Sequence, residues 1–231
     1  MLKRFIKALV TAAVWVGVCY FFSPTFALSL PFLVVLGLML ILNTYQPDFQ
    51  SGDSGPSEDK RSAQFIVLSV TLPNLIFTLE CLFLRPAESI VYTPLELGFL
   101  AIAVFGLAAR MHAIHTLGKF FTWHVHIAGD QQLIQDGLYR WLRHPSYFGA
   151  FLLFGAIPLT LNAYFAAATS LVMQFLAYRY RVGIEEEAMI SILPTNVSLI
   201  LKLEPAAHST ASAAASHAAA ARAAARAASQ P

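Results

Sequence analysis

The stretch LYRWLRHPSYFG, residues 138–149, places arginines, a histidine and a proline in a chain that is otherwise strongly apolar. Pro145 pushes the backbone of His144 out of the helical region, and it suits the first turn of a helix itself. We therefore predict that a helix begins at Pro145 and continues into the apolar run that follows. Its free N–H groups, helped by Ser146, would form an anion-binding site. The same residues also fit a plain cationic and aromatic helix flank at a membrane surface, so this stretch alone leaves both readings open.

The composition indicates a membrane protein. Of 231 residues, 57% are hydrophobic and 12% are charged, and the mean hydropathy is +0.62, whereas a soluble domain is about half apolar and about a quarter charged. The net charge of +2, without a basic and aromatic stripe, argues against nucleic acid as a partner. Cys19 and Cys81 lie in apolar runs and are interpreted as small hydrophobic residues.

The apolar runs predict an all-α fold, a polytopic transmembrane bundle of about five to seven membrane helices, since one crossing takes about 20 residues. The predicted spans are Phe5–Phe22, Leu28–Leu42, Phe65–Leu84 and Leu95–Ala109, followed by a helical hairpin over Phe148–Tyr178 that breaks near Asn162. The first run also resembles a signal peptide, and we favour a retained helix.

The distribution of basic residues orients the predicted bundle. With the N-terminus in the cytosol, nearly all of them before the C-terminal tail fall on the cytosolic side, namely Lys3, Arg4, Lys7, Lys60, Arg61, Arg110, Lys119, Arg140, Arg143, Arg179 and Arg181. Only Arg85 falls on the other side. By the positive-inside rule, residues 110–147 and 179–187 therefore share the cytosolic face and are able to meet.

A second polar cluster, RVGIEEEAM, begins at Arg181. Arg181 and Glu185 are four residues apart and hence on one face of a helix, and an arginine fork suits a carboxylate. Most charge runs are solvated helix faces, which is the alternative here. Together with residues 138–149 on the same membrane face, the cluster predicts two walls of one cytosolic pocket.

Histidines do not form a convincing metal site. His112 and His115 are three residues apart, and His124 and His126 alternate. A metal enzyme of the membrane would need a denser set of imidazoles at helical spacing. We therefore predict that the chain holds no metal.

The order of motifs resembles the isoprenylcysteine carboxyl methyltransferase family over about residues 100–190. It runs TLGKFFTWHVHI, DQQLIQDGLYRWLRHPSYFG, an apolar hairpin and RVGIEEEAM. The resemblance implies a multi-pass enzyme of the endoplasmic reticulum membrane, with its active site facing the cytosol. Such enzymes methylate the C-terminal carboxylate of prenylated cysteine in CaaX proteins such as small GTPases, with S-adenosylmethionine as methyl donor.

The resemblance also implies roles for individual residues. Arg181 and Glu185 match the family's substrate-binding and catalytic pair. The positions that match the family's cofactor pocket are His126, Gln131, Gln132, Leu133, Ile134, Tyr139, His144, Pro145, Ser146 and Tyr147. Glutamine stands at 131 and 132, where members often have Asp-His before the Leu-Val pair.

The resemblance divides the chain into three parts. Residues 1–110 would form N-terminal membrane helices, and residues 111–190 the methyltransferase core. Residues 191–231 form an atypical C-terminal segment with an alanine-rich tail, which we expect to be disordered. After the glutamates the chain continues ISILPTNVSLILKLEPAAH, where the family has Phe-Gly and spaced tyrosines.

Three alternatives remain open from the sequence. A phospholipid N-methyltransferase would use the same cofactor pocket on an amine head group. A membrane sterol reductase carries a similar Arg-His-Pro motif, but it uses NADPH, and no further basic residue is assignable to a 2′-phosphate. A non-catalytic protein could have kept the fold with an altered C-terminus.

Overall fold

A computed structural model describes residues 2–47, 61–85, 92–118, 121 and 136–192. Within these ranges the regular structure is entirely helical, as predicted. The α-helices are α1 (Leu2–Phe22), α2 (Pro24–Ala27), α3 (Leu30–Tyr45), α4 (Ser62–Phe83), α5 (Pro94–Leu117), α6 (Pro145–Thr160) and α7 (Tyr164–Ile192). A 3-10 turn over Gly137–Arg140 precedes α6. Most of the predicted C-terminal segment 191–231, namely residues 193–231, lies outside the described residues.

Several of these helices are suited to a membrane. Among the described residues, α1, α4 and α5 are long and apolar enough to cross a bilayer. The apolar helices α3 and α6 have 16 residues each, or about 24 Å at 1.5 Å per residue, against a hydrocarbon core of about 30 Å. Large hydrophobic side chains such as Val14, Leu75 and Phe105 are exposed, as lipid-facing residues are. The chain is a multi-pass membrane protein.

Helix α5 is longer than the sequence predicts. The predicted span ends at Ala109, but α5 continues to Leu117 and stops at Gly118, which has a φ of 53°. The polar residues Arg110, His112 and His115 end the apolar run without ending the helix, because none of them is a helix breaker. The proposed division at residue 110 therefore falls inside a continuous helix.

The C-terminal hairpin has the predicted start and the predicted break, but α7 continues to Ile192, past the predicted end at Tyr178. Helix α6 begins at Pro145, and His144 before it has non-helical backbone angles of φ −128° and ψ 62°. The turn to α7 passes through Asn162, whose φ is 58°, and Ala163 N donates to Pro158 O at 2.9 Å. Asparagine tolerates this left-handed conformation. The predicted helix start and the predicted break are both confirmed.

Helix α4 holds α7 at two points. At its C-terminal end, the buried carboxylate of Glu80 accepts hydrogen bonds from Phe165 N (3.3 Å) and Ala166 N (2.9 Å) in the first turn of α7. Arg85 also contacts Glu80, at 3.3 Å. At its N-terminal end, Ser62 contacts Arg181. The two helices are therefore antiparallel, and an acid caps the free N–H groups of α7.

Helices α5 and α6 approach each other at two glycines. A Cβ on Gly106 would lie 2.6 Å from Leu153 N, and a Cβ on Gly149 would lie 2.6 Å from Arg110 N. Only a residue without a side chain fits on either side, which is the usual solution for close helix packing in membranes. This crossing brings Arg110 of α5 to the first turn of α6.

Candidate functional site

The candidate site lies where α4, α6 and α7 meet, and its centre is Arg181. This side chain is only 1% exposed. Its Nε donates to Glu185 Oε1 at 2.7 Å, and its Nη1 donates to Ser62 Oγ at 2.7 Å. Charge-assisted bonds of this length are strong, and a buried guanidinium needs them. The pair predicted from a spacing of four residues is therefore formed around a buried guanidinium, with Glu185 partly exposed, and it is not a solvated helix face.

Tyr147 joins this pair to the first turn of α6. Its hydroxyl donates to Glu185 Oε1 at 2.6 Å and accepts from Arg181 Nε at 3.2 Å. Its ring stacks between Tyr178, at a centroid distance of 5.0 Å, and His144, at 5.7 Å. The RHPSY stretch and the Arg-Glu cluster thus meet, as predicted from the distribution of basic residues.

His144 lies between the two glutamates of α7. Its Nδ1 is 3.5 Å from Glu185 Oε2, and its Nε2 is 3.7 Å from Glu186 Oε1. The buried Nε2 atom makes no hydrogen bond within the described part of the chain. Arg143 Nη1 contacts Glu186 Oε1 at 3.3 Å. His144 therefore offers a buried, unsatisfied ring nitrogen at the N-terminal end of α6, a position that favours anionic groups.

Tyr139, in the 3-10 turn, belongs to the same electrostatic environment. Burial raises the pKa of its phenol, and the negative charge of Glu185 raises this pKa further, although the positive charge of Arg110 opposes them. Both dominant causes disfavour the phenolate. Tyr139 therefore acts as a neutral hydroxyl donor and acceptor at every physiological pH.

Ser146 faces a different neighbour. Arg110 Nη1 donates to Ser146 Oγ at 3.1 Å and to Ser146 O at 3.2 Å. The other edge of the guanidinium contacts Gln46 Oε1, from Nη2 at 2.9 Å and from Nε at 3.3 Å. Ser146 is thus connected to α5 through Arg110, and its hydroxyl accepts from Arg110 and not from Arg181.

The predicted residues divide into three groups. Tyr147 and Glu185 contact each other, and each of them also contacts both His144 and Arg181. Pro145 and Ser146 form the buried first turn of α6, and Tyr139 lies in the preceding turn. The other predicted cofactor-binding residues lie outside the described residues, namely His126, Gln131, Gln132, Leu133 and Ile134. The described side chains contain no cluster of three potential metal ligands, and the expected absence of a metal stays a prediction.

Sequence reasoning missed three participants. Ser62 bonds Arg181 from a helix 119 residues earlier in the chain, and no local pattern indicates that contact. Tyr178 supports the ring of Tyr147 from within an apolar run. Arg110 carried a signal, because an ionisable residue inside an apolar helix often has a functional role, but the predicted span ended one residue before it.

The fold and the geometry define an integral-membrane helical bundle. Its candidate site consists of a buried arginine in contact with a glutamate and a tyrosine. Residues 99–191 match the sequence model of the isoprenylcysteine carboxyl methyltransferase (ICMT) family. The match covers most of α5, all of α6 and the site residues on α6 and α7. The resemblance inferred from the motifs is confirmed over this region.

The chain is also similar to an uncharacterized protein of Haemophilus influenzae. The two are 30% identical over 97 residues, which is 41% of this chain and 56% of the relative. The chain thus matches about half the length of this curated relative. No solved structure matches the chain significantly.

Proposed function

We propose that the protein transfers a methyl group from S-adenosylmethionine to the C-terminal carboxylate of a prenylated cysteine. The observation that carries the proposal is the buried Arg181, paired with Glu185 and held against Tyr147 at the start of α6. The match of residues 99–191 to the ICMT family supports the reaction class. The substrates would be CaaX proteins such as prenylated small GTPases.

The described residues suit S-adenosylmethionine on one structural criterion. His144 Nε2 is a buried polar atom without a hydrogen-bond partner among the described residues, and it lies beside the N-terminus of α6, where a carboxylate is stabilised. His144, Tyr139, Pro145, Ser146 and Tyr147 would contribute to holding the cofactor. The remaining proposed contacts are His126, Gln131, Gln132, Leu133 and Ile134. When bound, S-adenosylmethionine supplies an electrophilic methyl group on a sulfonium.

The protein's own task is alignment. A terminal carboxylate has a reference pKa of about 3.5 and is already ionised at neutral pH, so the reaction needs no general base. Ser62 and Glu185 fix the plane of the Arg181 guanidinium, which would orient the carboxylate oxygen toward the methyl group. Proximity and orientation of this kind contribute up to about 7–11 kcal/mol in favourable cases. Glu185 would act through Arg181, and Arg181 would contact the substrate.

We further propose that the protein acts in the endoplasmic reticulum membrane with this site facing the cytosol. The basic residues of α1 and of residues 140–143 support that orientation. An isoprenoid chain is soluble in the bilayer and would enter laterally between the helices. The protein substrate would then remain in the cytosol while its lipidated C-terminus reaches Arg181.

The product of the reaction distinguishes this proposal from its alternatives. Membranes containing the full chain are incubated with methyl-labelled S-adenosylmethionine and N-acetyl-farnesylcysteine. We expect a base-labile methyl ester. Label recovered only in phosphatidylethanolamine derivatives would contradict the proposal and indicate amine methylation. His144→Ala is expected to raise the KM for S-adenosylmethionine with a smaller effect on kcat.

A further inference from the structure

Arg110 is a buried cation that no acid neutralises within the described part of the chain. Its side chain is 5% exposed on helix α5, and its hydrogen bonds go to uncharged oxygens of Gln46 and Ser146. Arg181, the other buried arginine of the described chain, has Glu185 as an ionic partner. Buried charges in proteins are normally paired, because removal from water is costly. Arg110 therefore has the electrostatic character of an anion-binding group.

A cavity of about 260 Å³ opens beside Arg110. Residues of five long helices, α1 and α3 to α6, line it together with Tyr178 of α7. Its basic lining residues are Arg4, Lys7 and Arg110, and apolar lining residues include Ile66, Val70 and Phe154. Among the described residues, no aspartate or glutamate lines it. The cavity thus combines a cationic end with an apolar wall.

This cavity is separate from the Arg181–Glu185 pair. Tyr178 lines the cavity, and its ring stacks on Tyr147, which bonds the pair. Its hydroxyl donates to Gln174 Oε1 at 3.0 Å. The Tyr178 ring therefore lies between the cavity and the Arg181–Glu185 pair. No hydrogen bond among the described residues joins Arg110 to Arg181.

We propose that this cavity is a second binding site, which takes the anionic head group of an amphiphile with its hydrocarbon chain along the apolar wall. Arg110 contacts the anion, and Gln46 and Ser146 hold the guanidinium in place. A phosphate and a carboxylate are both anions that accept hydrogen bonds from a guanidinium, so either head group fits. The two available sources are an acidic phospholipid of the membrane and a prenylated cysteine, and the cavity selects either one over a zwitterionic lipid.

Binding to purified full-length protein in a non-ionic detergent tests this proposal without any methyl transfer. Native mass spectrometry follows titrations with short-chain phosphatidylglycerol, short-chain phosphatidylcholine and N-acetyl-farnesylcysteine. We expect at least one anionic amphiphile to bind at least about tenfold more tightly than phosphatidylcholine. Arg110→Gln should abolish this preference, and Arg110→Lys should retain most of it. Whichever anionic probe depends on Arg110 identifies the source.

Matched variants keep the result interpretable. Arg140→Gln makes the same substitution at an exposed arginine outside the cavity and should leave the preference unchanged. Val70→Trp fills the apolar wall and should weaken binding about tenfold while Arg110 remains, which covers the case in which Arg110→Gln does not fold. Anionic binding that is unchanged in both Arg110→Gln and Val70→Trp would overturn the second site, and so would equal affinity for phosphatidylcholine. Because the methyl donor is absent, these results stand whether or not the chain methylates prenylcysteine.

Discussion

Arg181 and Glu185 lie one turn apart on α7 and form an ion pair of 2.7 Å around a guanidinium that is 1% exposed. Such a pair differs from a solvated i,i+4 pair, which contributes only about 0.3–0.5 kcal/mol. Loss of one partner from a buried pair leaves an uncompensated charge and typically costs about 3–5 kcal/mol. The orientation of Arg181 therefore depends on Glu185.

Removal of the charge of Glu185 should impair the reaction. Glu185→Gln keeps the size of the side chain but weakens the bonds to Arg181 Nε and Tyr147. We expect kcat for prenylcysteine methylation to fall about 10- to 100-fold, since hydrogen bonds to charged groups contribute about 1.5–3 kcal/mol. The control is Glu187→Gln, at an exposed position of the same helix. Equal rates for the two variants would contradict a role for Glu185 in the reaction.

The hydroxyl of Tyr147 should matter separately from its ring. Tyr147→Phe keeps the stack with Tyr178 and His144 but loses the bonds to Glu185 and Arg181. A rate decrease of about 5- to 30-fold is expected from the loss of one such network member. Tyr164→Phe, an exposed tyrosine in the first turn of α7, should retain the full rate. Steady-state kinetics on both variants measures the difference.

The glycine contact between α5 and α6 should be intolerant of a methyl group. A Cβ on Gly106 would lie 2.6 Å from a backbone nitrogen, whereas a Cβ on Gly98 of the same helix meets no atom within 4 Å. We expect Gly106→Ala to cost about 1–3 kcal/mol of unfolding free energy. Gly98→Ala should be neutral or stabilise by about 0.4–1 kcal/mol. Thermal unfolding in detergent compares the two, and equal midpoints would contradict the close approach.

Glu80 should stabilise the hairpin through the first turn of α7. Glu80→Leu leaves the N–H groups of Phe165 and Ala166 without their acceptor, at a cost of about 1–3 kcal/mol for each buried unsatisfied group. Glu80→Gln retains one carbonyl acceptor and should lose less. The measurement is the unfolding midpoint of each variant. A leucine variant as stable as the glutamine variant would show that the cap has no energetic role.

The sequence predicts the helices well because their apolar runs are long and their breaks are chemically marked. Pro145 and Asn162 mark the start of α6 and the turn to α7, and both positions agree with the structure. The spacing of Arg181 and Glu185 predicts their pairing for the same local reason. These features depend on residues that are close together in the chain.

Other features depend on contacts between distant residues, and no local pattern encodes them. Ser62 reaches Arg181 because α4 packs antiparallel to α7, and Glu80 caps α7 for the same reason. The hydropathy of the sequence does not predict the end of α5, because it falls at Arg110 although the helix continues to Leu117. Oxygens of Gln46 and Ser146 accept the hydrogen bonds of Arg110. These residues are distant from Arg110 in the sequence and meet it only in the packed bundle.

The most direct test of the central claim compares two arginines of α7 in one assay. Membranes with equal amounts of wild-type, Arg181→Ala and Arg179→Ala protein receive labelled S-adenosylmethionine and N-acetyl-farnesylcysteine, and base-labile methyl ester is counted. Arg179 is exposed, whereas Arg181 is buried in the site. We expect wild-type and Arg179→Ala protein to form the ester and Arg181→Ala to form none above background. Full ester formation by Arg181→Ala, or none by the wild-type protein, would contradict the proposed reaction at this site.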